Sequence, residues 1–247
     1  MTRHSSALLA LSLMDLTSLN ESDSESSISD FISSIDVQYT LPAAICIYPE
    51  FIKHARATLE LQNLQQIKIA TVTNFPSGEN SLESVLHATE QALQDGASEI
   101  DLVLPYKQLI AGDPDTPWEY VHSSKQLCVG KATLKVIIES GQLADAELIA
   151  QASEIAILAG ADFVKTSTGK VPVNATLEAA EVILNTIKKM GRDVGFKAAG
   201  GVKSVQDAQA YLCLAEKIMG TEWICSEHFR FGASSLLKDV YHVLKME

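Results

Sequence analysis

Gly160-Ala161-Asp162-Phe163-Val164-Lys165-Thr166-Ser167-Thr168-Gly169-Lys170 reads as a helix stop, a buried strand and a glycine-bearing turn in direct succession. Glycine takes the left-handed conformation that ends a helix without steric cost. Phe163–Ser167 is a short apolar, β-prone run. Gly96-Ala97-Ser98-Glu99-Ile100-Asp101 echoes its first half, with Asp101 at the same offset from the glycine as Lys165. A helix that stops at Gly-Ala and is followed at once by a strand is therefore a repeated unit.

Outward from this unit, short apolar runs alternate with helical patterns along the whole chain. The runs are Leu11–Thr17, Ala43–Tyr48, Ile67–Thr73, Glu99–Leu104, Leu134–Glu139, Phe163–Ser167, Gly195–Ala199 and His228–Phe231. Most are apolar on both faces, as strands of a covered parallel sheet are. Between them, Asn80 with Glu83, Asp145, Asn174 and Ser204 are candidate helix starts, and a last helix begins near Ser235. Ser18–Ser29 and Pro114–Pro117 read as solvated loops. Strand–helix alternation repeated eight times predicts an α/β fold, a single-domain (β/α)8 TIM barrel spanning residues 1–247. A doubly wound sheet fits less well, because no GxGxxG turn follows its first strand.

With 247 residues, 47% of them hydrophobic and 20% charged, the chain has the composition of a globular protein. Its net charge of −12 repels phosphate backbones and anionic lipid heads, so neither nucleic acid nor membrane is an expected partner. Cys46, Cys128, Cys213 and Cys225 form no CxxC pair, so no zinc site is expected and reduced thiols are. Ala7–Met14 is too short and too interrupted for a secretory leader, and no apolar run reaches bilayer length. A cytoplasmic protein is expected.

The chemistry lies in charges placed inside apolar strands. Lys165 in Phe163-Val164-Lys165 and Lys197 in Phe196-Lys197-Ala198 are expensive to bury unless paired or functional. Two lysines aimed into one barrel mouth raise each other's energy, which makes sense if one of them is neutral. A neighbouring cation and desolvation both lower a lysine pKa, and a neutral lysine attacks carbonyls. Asp101 is a carboxylate in a similar run, suited to charge compensation, proton transfer or both. Asp15 is a weaker case, better explained by pairing with a lysine or capping a turn. Arg230 reads as an ion-pair partner and Cys46 as a packed thiol. Gly169-Lys170, Gly200-Gly201 with Lys203, and Gly232 with Ser234 and Ser235 mark turns after strands, where barrels bind phosphate. Asn20 and Asn74 are candidate pocket groups. His54, His87, His122, His228 and His242 show no triad or metal-ligand spacing.

These residues resemble a known family. Met14-Asp15-Leu16-Thr17, Ile45-Cys46-Ile47-Tyr48-Pro49, Thr71-Val72-Thr73-Asn74-Phe75-Pro76, Lys165-Thr166-Ser167-Thr168-Gly169, Gly195-Phe196-Lys197, Ala199-Gly200-Gly201 and Phe229-Arg230-Phe231-Gly232-Ala233-Ser234-Ser235 are similar, in order, to the class I, Schiff-base-forming deoxyribose-phosphate aldolases. The resemblance covers about Leu13 to Leu237. It implies reversible cleavage of 2-deoxy-D-ribose 5-phosphate into D-glyceraldehyde 3-phosphate and acetaldehyde. It makes Lys165 the Schiff-base lysine, Lys197 the lysine that perturbs it and Asp101 the carboxylate of the proton relay. Gly169, Lys170, Gly200, Gly201, Ser234 and Ser235 become the phosphate turns, and Asp15 and Cys46 join the substrate-binding set. The resemblance implies no metal and no organic cofactor, small sugar phosphates and aldehydes as partners, and a homodimer as a common state. Two departures stand out. Ala198 follows Lys197 where many relatives have proline, which predicts a looser turn. The sequence ends at Glu247, where many relatives continue into a tyrosine-ended tail, so slower proton exchange is expected. The competing readings are another phosphate-binding barrel, such as an isomerase or a Schiff-base lyase of a related sugar phosphate, and a non-catalytic sugar-phosphate-binding barrel.

Overall fold

The two Gly-Ala stops end their helices in the same way. Gly96 follows the helix Leu82–Asp95 and Gly160 follows Ala146–Ala159, with φ of 106° and 104°. The glycine N–H groups donate to Leu93 and Ile157 at 3.2 Å, and the alanine N–H groups to Ala92 and Ala156 at 2.9 Å. Both bonds of the Schellman arrangement are thus made twice. Each turn releases the chain into a strand.

The computed structural model describes residues 2–246. Met1 lies outside them, as does Glu247, to which the expectation about the tail attaches. Eight strands, β1 (Met14–Thr17), β2 (Ala44–Ile47), β3 (Lys68–Thr73), β4 (Glu99–Val103), β5 (Thr133–Ile137), β6 (Phe163–Lys165), β7 (Gly195–Ala199) and β8 (Phe229–Ala233), form a closed barrel in sequence order. Every neighbouring pair is parallel, and β8 closes on β1 through Met14 opposite Phe231. The surrounding helices are α1 (Arg3–Ser12), α2 (Glu25–Ser33), α3 (Ile52–Leu61), α4 (Leu82–Asp95), α5 (Tyr106–Ile110), α6 (Asp115–Cys128), α7 (Ser140–Leu143), α8 (Ala146–Ala159), α9 (Leu177–Met190), α10 (Val205–Met219) and α11 (Leu236–Leu244). The (β/α)8 expectation holds. No helix among the described residues is long and apolar enough to cross a membrane.

Several expected boundaries move, each for a local reason. Leu11 and Ser12 finish α1 instead of opening β1, because Ala7, Ala10 and Leu11 are buried on a helix packed against α10 and α11. Ser18–Ser29 is not all loop: Ser24 and Ser27 form a reciprocal capping box that starts α2, whose Ile28 and Ile32 are buried. Pro114 and Pro117 open α6, and the Asp113 carboxylate accepts the N–H groups of Asp115 and Thr116. The cap of α4 is Ser81, because the Asn80 N–H is taken by Asn74 Oδ1 at 2.9 Å. The cap of α9 is Thr176. Ala198 continues β7 opposite Phe231, and the strand runs on to Ala199.

One strand face, with Ile45, Ile100, Leu102, Val136, Val164 and Phe196, joins the helices in a large apolar core. The alternate positions face the lumen. Asp15 on β1 lies 3.3 Å from Lys135 on β5, a contact that strands on opposite sides of a barrel make only through its interior. Ala44, Cys46, Ala70 and Val72 fill the β2–β3 sector with a separate small apolar cluster. The remaining strands bring charges into the lumen alongside apolar residues such as Phe163, whose ring lies under the Arg230 guanidinium.

Candidate active site

Three carboxylates and four cations meet in the lumen with almost no exposure. Glu99, at the lower end, pairs with Lys135 at 2.5 Å and Arg230 at 3.0 Å, and Lys68 approaches it at 3.5 Å. Asp15 pairs with Arg230 and Lys197, each at 2.5 Å. Asp101, at the upper end, holds Lys135 at 2.9 Å and both Lys165 and Lys197 at 2.7 Å. The β6–β7 register places Lys165 directly opposite Lys197. Seven buried charges on seven strand positions survive only because each is paired.

The pairing is uneven, and the pKa values follow it. Burial alone lowers a lysine, but Lys197 has both Asp101 and Asp15 beside it, and its pKa is raised. Lys135 has Asp101, Asp15 and Glu99, and its pKa is raised as well, although burial alone would lower it. Lys165 shares Asp101 with the other two. Burial lowers its pKa, Asp101 opposes this, and Lys197 lowers it again, with a net depression. Asp15 and Asp101 lie far below the usual carboxylate range: burial would raise them, and the lumen cations outweigh it. Loss of the Lys165 proton would leave three buried cations against three carboxylates.

Above Lys165 opens a cavity of about 510 Å³. Gly169, Lys170, Gly200, Gly201, Ser234 and Ser235, drawn from three turns, line it together with Thr17 and Asn20. Gly200 and Gly201 have φ of 79° and 91°, and a Cβ at Gly200 would come within 2.7 Å of Asn174. Successive residues of this kind make a concave backbone suited to an anion. Ser235 occupies the N-cap of α11 without bonding its hydroxyl to the helix. Ser235 and the positive end of α11 border the cavity. Lys170 Nζ donates to the Leu19 carbonyl at 2.6 Å, fixing its ammonium across the cavity mouth.

Asp15, Asp101 and Lys197 are fully buried and do not line this cavity, whereas Lys165, which holds Asp101, does. Cys46 is fully buried in the apolar sector and does not line the cavity, and burial pushes its thiol pKa up. Arg230 is the ion-pair partner expected. Asn20 lines the cavity. Asn74 does not, since its amide donates to Val103 O at 2.8 Å and serves the β3–α4 loop.

Three groups escaped the sequence reading. Lys135 and Glu99 are central to the cluster, and Leu134-Lys135-Val136 carries the same mark as Lys165: a lysine between apolar strand neighbours. Glu139 is buried at φ 54° just past β5, and its carboxylate accepts the Thr168 hydroxyl at 2.6 Å, which fixes the turn before Gly169. Burial raises its pKa against the Thr168 hydrogen bonds.

Fold and site together define a (β/α)8 barrel with a lysine on the floor of an anion-suited cavity. The profile of the DeoC/LacD family aldolases matches residues 9–242, and the chain belongs to that family. Among solved structures it is similar to a candidate deoxyribose-phosphate aldolase from Toxoplasma gondii ME49, with 23% identity and a TM-score of 0.90 over 99% of this chain and 98% of that one. A candidate deoxyribose-phosphate aldolase from Coccidioides immitis matches with 26% identity and a TM-score of 0.81 over 96% and 86%. The tetrameric deoxyribose phosphate aldolase from Aeropyrum pernix matches with 23% identity and a TM-score of 0.78 over 99% and 98%. At 23% identity the likeness is one of fold.

Proposed function

We propose that the protein is a class I aldolase that reversibly cleaves 2-deoxy-D-ribose 5-phosphate into D-glyceraldehyde 3-phosphate and acetaldehyde through a Schiff base on Lys165. The reading rests on one observation. Of the three lumen lysines, Lys165 alone has a lowered pKa, and it alone lines the cavity. The names carried by the Toxoplasma, Coccidioides and Aeropyrum proteins support the choice of substrate.

The chemistry follows from the contacts. Neutral Lys165 Nζ attacks the substrate aldehyde carbon, and loss of water leaves an iminium. The iminium draws the electron pair of the C2–C3 bond onto itself as that bond breaks, while the C3 hydroxyl gives up its proton. Glyceraldehyde 3-phosphate leaves, the enamine is protonated at C2, and water releases acetaldehyde and Lys165. Asp101 touches both Lys165 and Lys197, so a water held between these groups can take the hydroxyl proton and return one to the enamine carbon. Positioned general acid–base help of this kind contributes ~10²–10⁴-fold. The phosphate sits at Gly200-Gly201 and at Ser234-Ser235 before α11.

Borohydride reduction in the presence of acetaldehyde tests the assignment. It should fix a two-carbon adduct on Lys165, and Lys165→Ala should abolish both trapping and turnover. Peptide mapping that puts the adduct on Lys197 would overturn the assignment.

A further inference from the structure

At the opposite end of the barrel, a cysteine, a histidine and an aspartate stand in line. Cys225 Sγ lies 3.4 Å from His228 Nδ1, and His228 Nε2 lies 2.7 Å from Asp193 Oδ1. Asp193 precedes β7, and the Cys225–His228 turn precedes β8, so adjacent strand starts bring together residues that sequence spacing alone did not associate. The turn is firm: Cys225 O accepts the N–H groups of His228 at 3.0 Å and Phe229 at 2.7 Å. Trp223 stacks on the His228 ring at 5.6 Å with planes 9° apart, which fixes the ring's tilt. A cavity of about 200 Å³ opens there, lined by Asp193, Ser226, Glu227 and His228 and floored by Arg230. Cys225, His228, Asp193, Ser226 and Glu227 take no part in the aldol chemistry.

A nucleophile within reach of a base, with the base oriented by a third group, is the arrangement that activates a thiol. We propose that Cys225, with His228 as its base and Asp193 orienting the imidazole, is a reactive-thiol site that forms a mixed disulfide with a small disulfide. In the step, Cys225 Sγ passes its proton to His228 Nδ1 and attacks one sulfur of the reagent. One S–S bond forms, the reagent's S–S bond breaks, and the departing thiolate takes the proton from the imidazolium. The exchange has no net oxidation. Glu227, two residues from Cys225 and lining the same cavity, is the alternative proton acceptor.

The molecule contains its own control. Cys46 and Cys128 are buried, Cys225 is half-buried, and Cys213 on α10 is exposed. Access alone makes Cys213 the fastest thiol, and activation by His228 makes it Cys225. The native protein is treated with limiting iodoacetamide at neutral pH, and both cysteines are followed in one digest. Cys225 should label at least about tenfold faster than Cys213. Oxidised glutathione should give a mixed disulfide at Cys225 and spare Cys213. In His228→Gln, Cys225 should fall to the rate of Cys213 or below it. Cys213 labelling as fast as Cys225 in the unmodified protein, or glutathione attaching elsewhere, overturns the proposal without recourse to any variant. An unchanged Cys225 rate in a folded His228→Gln protein overturns the role of His228 and points to Glu227.

Discussion

Lys165 shares its single carboxylate, Asp101, with two other ammonium groups, whereas Lys197 has Asp15 as well. Removing Lys197 therefore acts on Lys165 twice in the same direction, since a repelling cation goes and Asp101 is freed to hold the remaining ammonium. Lys197→Met should move the ascending limb of the pH profile of kcat/KM to higher pH and lower the rate at neutral pH. An ascending limb that stays in place would separate Lys197 from the tuning. Lys165 itself opposes folding. Its folded pKa lies below the ~10.4 of an unfolded lysine, so the folded state binds fewer protons, and the opposition fades only as pH rises toward that value. Lys165→Met leaves Asp101 with two partners, so it should abolish turnover while raising stability by about 1–4 kcal/mol in denaturant titrations. Lys165, Lys197 and Asp101 were legible in the sequence because a charge in an apolar strand is costly and so conspicuous. Lys135 bears the same mark between Leu134 and Val136, but no glycine-bearing turn follows it. Glu139 bears none, because it follows a strand end and its partner Thr168 is 29 residues away.

Among the elements, the strands were legible because each is a short apolar run, and the barrel follows from their alternation with helices. Of the helices that escaped, α2 and α6 begin with residues that also mark loops. Ser24 and Ser27 become mutual caps, and Pro114 and Pro117 fall where a helix has N–H groups to spare. Only the buried Ile28 and Ile32 tell the first case from a loop, and burial is a tertiary fact. The Gly-Ala stop is a stricter signal. Gly160→Ala forces a Cβ into a left-handed residue, while the atom it would meet, Lys125 Cγ at 3.1 Å, is on a flexible side chain. Conformational strain then dominates, and the thermal midpoint should fall by the equivalent of about 1–2 kcal/mol. The turn before α11 offers a test of function. Ser234→Asp puts a carboxylate beside the helix N-terminus, which should raise KM for deoxyribose 5-phosphate far more than for unphosphorylated deoxyribose. Equal effects on the two substrates would move the phosphate elsewhere.

For the molecule as a whole, the lumen cluster, drawn from β1 and β4 to β8, ties the stability of the barrel to proton concentration. Asp15 and Asp101 titrate far below the ~3.9 of an unfolded aspartate, so on acidification the unfolded chain takes up protons first. Their contribution is complete above that value and is lost as pH falls toward the folded pKa values, at up to ~1.4 kcal/mol per pH unit for each group. On the alkaline side Lys135 and Lys197 behave oppositely. Their raised pKa values stabilise the fold fully below ~10.4, and that contribution is lost as pH climbs toward the folded values. Asp15 is the group to remove, since it touches Lys135, Lys197 and Arg230 but does not line the cavity. Asp15→Asn keeps the shape and leaves three cations short of a carboxylate, so it should cost about 3–5 kcal/mol at neutral pH. It also removes one titrating group. Between about pH 3.5 and 2 its stability should therefore decline less steeply than the parent's, by ~1.4 kcal/mol per pH unit. Urea titrations of both proteins across that window decide the matter, because a parallel decline would trace the acid sensitivity to carboxylates outside the lumen.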